Sequence, residues 1–87
     1  MTDLKRRDDI IFRRLDDEWV VFDPEAVKIH TLNLTAALVW LHLTGEVDED
    51  AIACSVADSF EHAVALEQVR PDVATAIRQF RDAGLLA

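Results

Sequence analysis

Positive charge is scarce in this chain: nine lysines and arginines stand against seventeen acids, a net charge of −8 over 87 residues. Between Ile29 and Val69 there is no Lys or Arg at all, while Glu46, Asp48, Glu49, Asp50, Asp58, Glu61 and Glu67 fall in that stretch. Nucleic-acid affinity comes chiefly from cations that displace counterions from phosphates, so this field opposes duplex binding. Cys54 is the single cysteine. It excludes a disulfide framework or a cysteine zinc cluster within one chain and suits a reducing compartment, with Cys54 itself expected to be a small buried hydrophobe. His30, His42 and His62 share no C-x-x-C or H-x-x-x-H spacing with it or with one another, so no metal site is expected. With two glycines and two prolines there is no flexible linker or low-complexity tract. Ser55 and Ser59 have no neighbouring glycine elbow, and a chain this short buries only about 60–65% of its unfolded surface, too little for a deep catalytic cleft. Neither an enzyme nor a cofactor is expected. Met1 to Arg7 leads into no apolar signal region, and no run approaches the roughly 20 apolar residues that span a bilayer. The expectation is a cytoplasmic protein without a membrane partner.

What is present is a globular composition, 51% hydrophobic and 30% charged. Residues 1–8 are charged and expected to fray, leaving residues 9–87 as one domain. Ile10–Leu15 and Trp19–Asp23 read as strands around a tight turn at Asp16-Asp17-Glu18. Asp23-Pro24-Glu25-Ala26 is a second turn, with Pro24 preset for its second position, and Val27–Leu32 alternates as a third strand. Asn33 is a good N-cap for a helix over Leu34–Thr44, stopped by Gly45 and apolar on nearly every side, which places Trp40 in the core. Asp48 caps a second helix that carries Ile52, Val56 and Phe60 to about Glu61, with Glu49 and Asp50 complementing the dipole. Val73, Ile77 and Phe80 mark a third helix ending at Gly84; it opens at Arg70, given the first-turn preference of Pro71, or follows a looser turn through Leu66–Val69. The fold class is therefore α+β: a three-stranded antiparallel sheet followed by three helices.

The second strand shows Trp19 and Val21 to one face and Val20 and Phe22 to the other, although a sheet packed on helices needs only one apolar face. Part of the N-terminal segment or a partner in a homodimer could cover the second face, or it could be a functional surface. Helices joined by a turn beside a sheet also fit a winged-helix regulator, with Arg70, Arg78 and Arg81 available for phosphates. The acidic second helix opposes that reading.

The run WVVFDPEAVKIHTLNLTAALVWLHLTGEVDEDAIACSVADSF, followed by VRPDVATAIRQFRDAGLLA, resembles the PqqD family. The similarity runs from about Phe12, and its most telling pieces are Leu32–Trp40, the Gly45 stop, the Asp48–Phe60 helix and Asp72–Leu86. Leu34 stands where the family commonly has a polar residue such as Glu, and Pro71 interrupts the last helix. The resemblance implies a winged-helix-like recognition element that binds the leader of a ribosomally synthesised precursor peptide and presents it to a peptide-modifying enzyme. It implies strand addition beside the third strand and third helix, with Val27, Lys28, Ile29, His30, Thr31 and Leu32 offering backbone and Ala74, Ile77, Arg78 and Arg81 forming the helix wall. Ile77 equally fits the core. An adaptor that only docks onto an enzyme remains a further reading.

Overall fold

The computed structural model describes residues 4–60 and 63–87. Within them three strands, β1 (Ile11–Leu15), β2 (Glu18–Asp23) and β3 (Lys28–Leu32), precede three helices, α1 (Leu34–Leu41), α2 (Glu49–Ser59) and α3 (Leu66–Asp82). The sheet is an antiparallel meander in the order β1-β2-β3, so β1 and β3 are its edges. Leu15 pairs with Glu18 across Asp16 and Asp17, and Asp16 takes the left-handed conformation (φ 54°) that a two-residue hairpin turn needs. Glu18 thus belongs to β2 and not to the turn.

Pairing and alternation sort the side chains into two faces. Phe12, Trp19, Val21, His30 and Leu32 face the helices, where Val21 and Leu32 join the core and Phe12 stacks on Trp19 at 5.6 Å. Ile11, Leu15, Val20, Phe22, Ile29 and Thr31 face away from them. Of these, Ile11, Leu15, Ile29 and Thr31 are exposed.

Asn33 caps α1 as expected, its Oδ1 accepting from Ala36 N–H at 2.8 Å, and Trp40 sits in the core with Phe80 edge-on at 5.2 Å. The helix stops at Leu41, three residues short of Thr44, because its last carbonyls find other partners. The Arg6 guanidinium donates to the Trp40 and Leu41 carbonyls, and His42 Nδ1 lies 2.7 Å from the Leu38 carbonyl. Leu43 is then free to turn into the core. Gly45 (φ 86°) serves the crossing of the N-terminal segment: its N–H donates to the Leu4 carbonyl at 2.9 Å, and a Cβ there would meet the Lys5 Cβ at 3.3 Å.

That segment corrects the expectation of a frayed tail for residues 4–8. Leu4 is buried in the core, and Lys5 and Arg6 make β-bridges to Thr44 and Leu86. A charged sequence hid one apolar anchor and a row of backbone bonds. Met1–Asp3 lie outside the described residues.

Asp48 caps α2 through Ala51 N–H at 2.9 Å, and the helix is described to Ser59; Glu61 and His62 lie outside the described residues. Cys54 is exposed, not buried, because the inward positions of α2 are taken by Ile52, Ala53 and Val56. Helix α3 opens at Leu66 and runs straight through Pro71. The turn before Pro71 is held by Val69, buried in the core, and by bonds from Gln68 and Val69 N–H to the Ala65 carbonyl, which outweigh the one intrahelical donor that proline lacks. A third of the way along the helix, Arg70 pairs with Asp50 of α2. None of the helices among the described residues is long and apolar enough to cross a membrane.

Candidate functional site

Beside the open edge of β3 runs a groove of about 200 Å³, lined by His30, Thr31 and Leu32 on the strand side and by Gln79, Phe80, Ala83 and Leu85 on the helix side. Leu32, Phe80 and Leu85 back it from the core, each almost wholly buried. Its upper wall is the outer edge of β3, where the backbone groups that do not pair with β2 have no sheet partner. His30 is half-buried, while Lys28 and Thr31 are exposed and Ile29 points from the outer face with 66% of its surface exposed.

Val27 departs from the expected strand. The Asp23 carboxylate accepts from Glu25 and Ala26 N–H at 3.0 and 3.2 Å, which closes the β2–β3 turn early, and Val27 is left at φ 54° with its side chain in solvent. A β-branched residue in the left-handed region cannot continue a ladder. Strand pairing starts at Lys28, opposite Asp23.

On α3 the groove is lined nearly half a turn round the helix from the residues expected there. Ile77 is 2% exposed and belongs to the core. At about 100° per residue, Arg81 stands three turns above Arg70 on the same flank, and Ala74 lies between them. That flank is the one from which Arg70 reaches Asp50 on α2. Arg78 lies further round, opposite the buried stripe of Val73, Ala76 and Phe80. The groove therefore takes Gln79 and Ala83, one turn apart, in place of Ala74, Ile77, Arg78 and Arg81.

The polar centre of this end of the molecule is an ion cluster that the sequence did not announce. Arg7 forms a two-pronged pair with Asp23 at 3.1 and 3.2 Å and also reaches Asp9 at 2.6 Å, Glu25 at 3.0 Å and the Gly84 carbonyl at 2.9 Å. Burial would raise the Asp23 pKa, but the Ala26 N–H, the hydrogen bond and charge of Arg7 and the Glu25 N–H together hold it below the ordinary carboxylate value. The hydrogen bond of Asp9, then that of Asp23, binds the Arg7 proton more tightly still. Two arginines in sequence, Arg6 and Arg7, gave no sign that one would cap a helix and the other join two layers.

Ser59 Oγ donates to the Ser55 carbonyl within α2, His30 and His42 stand on separate elements, and among the described residues no three side chains gather as metal ligands. The arrangement offers an open strand edge, a groove backed by core side chains and a helix wall. Those are the parts needed to receive an extended chain.

The family model for coenzyme PQQ synthesis protein D (PqqD) matches residues 18–86. No curated protein sequence matches the chain. Among solved structures, lasso peptide synthetase B1 complexed with the leader peptide superposes with a TM-score of 0.77 at 21% identity, over 99% of this chain and 99% of that one. TbiB1 in complex with the TbiA(beta) leader peptide gives 0.74 at 21% identity, over 94% of this chain and 93% of that chain. Both share the architecture of three antiparallel strands followed by three helices. With the family model reaching from β2 to the C-terminal segment, the chain belongs to the PqqD family.

Proposed function

We propose that this protein binds the leader segment of a ribosomally synthesised precursor peptide and presents it to a peptide-modifying enzyme, without catalysing a step itself. The observation that carries the reading is the open edge of β3 lying over the groove between that strand and α3. A leader that adds beside Lys28–Leu32 gains main-chain hydrogen bonds largely independent of its sequence. Selectivity comes from side chains of the leader that drop onto Leu32, Phe80 and Leu85 between His30 and Gln79. The two similar structures were determined with leader peptides bound, which supports the same use of the fold here.

The peptide site consists of Lys28, Ile29, His30, Thr31 and Leu32 for backbone pairing and Gln79, Phe80 and Ala83 for the wall. Arg78 and Arg81 are exposed and have no ion pair among the described residues, so they act on an acidic leader only from a distance and in a salt-dependent way. Regulation through DNA is disfavoured by α2, whose Asp50 already occupies Arg70. A duplex titration at low salt that showed steeply salt-dependent binding would reverse that judgement.

Proline substitution tests the mode. Successive residues of an antiparallel strand direct their N–H groups to opposite sides, so of Ile29 and His30 one points to β2 and the other to the open edge. Ile29→Pro and His30→Pro are therefore expected to separate: one variant loses stability, the other stays folded and loses binding of a synthetic precursor leader peptide. Amide shift changes with that leader are expected along β3 and in Gln79–Ala83. Changes confined to Ile52–Phe60 would rule the site out.

A further inference from the structure

We infer that Arg7 is a positioning residue for peptide binding, a strut that fixes the distance between the two walls of the β3–α3 groove while lying outside it; the inference rests on the leader-binding reading above. One wall begins at the β2–β3 turn, where Asp23 closes β2 opposite Lys28, the first residue of β3. The other wall ends at Ala83, Gly84 and Leu85, where the chain leaves α3. A single guanidinium spans the two. Its Nη1 donates both to Asp23 Oδ2 at 3.1 Å and to the Gly84 carbonyl at 2.9 Å, while Nη2 donates to Asp23 Oδ1 at 3.2 Å. The Arg7 backbone N–H adds a bond to the Leu85 carbonyl at 3.0 Å.

The far side of the link is equally fixed. Asp23 is the one buried charged residue among those described, and its Oδ1 also holds the Glu25 and Ala26 N–H groups. Movement of the guanidinium would therefore carry the whole turn, and with it the start of β3. A planar five-donor fork against a carboxylate resists rotation as well as stretching, which a lysine ammonium cannot do. Arg7 is not among the residues that line the groove and meets them only through its backbone bond to Leu85, so its effect on a bound peptide passes through the spacing of the walls. If the correctly spaced groove becomes a minor state, apparent affinity falls by the fraction lost.

The test uses the full chain, with Arg7→Ala and Arg7→Lys compared against wild type. Binding is read by titration of a synthetic precursor leader peptide. Spacing is read without peptide by pulsed electron paramagnetic resonance between spin labels at Ile29→Cys and Asp82→Cys, both exposed, in a Cys54→Ser background. Arg7→Ala is expected to weaken the leader by about tenfold and to broaden the distance distribution. Arg7→Lys, which keeps the charge, is expected to melt close to wild type yet still to bind more weakly and to give the broader distribution. That result separates spacing from simple loss of fold. Wild-type affinity and an unchanged distribution in both variants would overturn the strut and leave leader binding standing. A wild-type protein that ignores the leader would overturn leader binding, and the distance distributions alone would then decide whether Arg7 sets the gap.

Discussion

Strand β3 and helix α1 are joined by a single residue, Asn33, yet they carry opposite kinds of information. In α1 the side chains matter: Ala36, Ala37, Val39 and Trp40 are buried, and the helix is held from three sides by β3, α2 and α3. In β3 the backbone matters, since Lys28, Ile29 and Thr31 are exposed and only Leu32 reaches the core. A segment built to be packed tolerates few substitutions. A segment that accepts another strand, as proposed for β3, tolerates many, provided that its main chain stays extended and in place. The same sequence neighbourhood thus supplies both the rigid platform and the receptive edge.

The sharpest way to break this comparison is Trp40→Ala. It removes the largest buried side chain and its edge-on contact with Phe80, and is expected to cost about 3–5 kcal/mol, enough to unfold so small a domain. Denaturant melts check it, and a loss below about 1 kcal/mol would mean that α1 is not the platform described.

The next effect lies at the anchor of β3. Asp23→Asn keeps the shape of the side chain but removes the charge that faces Arg7, leaving that guanidinium with a weaker partner at the buried end of its cluster. Because the folded-state pKa of Asp23 lies below its ordinary value, the carboxylate contributes stability above the unfolded-state pKa and loses it as pH falls through the folded one. Wild type is therefore expected to be the more stable at neutral pH, and the gap between the two proteins to close from the ordinary carboxylate range near about pH 4 downward. Melts from neutral to acid pH check this, and a gap that stays constant would remove the cluster from the account.

How far the site could be foreseen follows from the same contrast. The elements of α1 and α2 were legible because caps at Asn33 and Asp48 and a dense apolar run are local signals. The strand beside the groove was legible too, through alternation and the family resemblance. What could not be seen was set by contacts distant in sequence: Leu4 meeting Gly45, Arg6 capping α1, and Arg7 joining Asp23 to Gly84. The expected helix wall differs from the groove lining for a related reason. Arg78 and Arg81 drew attention by charge, whereas the angle of α3 is fixed by which residues are buried, and Val73, Ala76 and Phe80 turn Gln79 and Ala83 toward β3. The opening turn of α3 before Pro71 also depends on tertiary burial of Val69, which no local signal shows.

The smallest expected effect concerns Val27, the residue between the anchored turn and the receptive strand. It holds a left-handed backbone (φ 54°) with 75% of its surface exposed, so its side chain gains little from packing while its branched Cβ crowds the backbone. Glycine adopts the same conformation without that crowding but has more freedom to lose from the unfolded chain, and the two terms oppose each other. Steric relief of a β-branched residue is the larger of the two, so Val27→Gly is expected to stabilise the protein by up to about 1 kcal/mol, measured by denaturant melts. Leader affinity should stay unchanged, because pairing begins at Lys28 and the Asp23 turn is retained. A fall in affinity without a fall in stability would show that Val27 itself meets the peptide, and would extend the receptive edge by one residue into the turn.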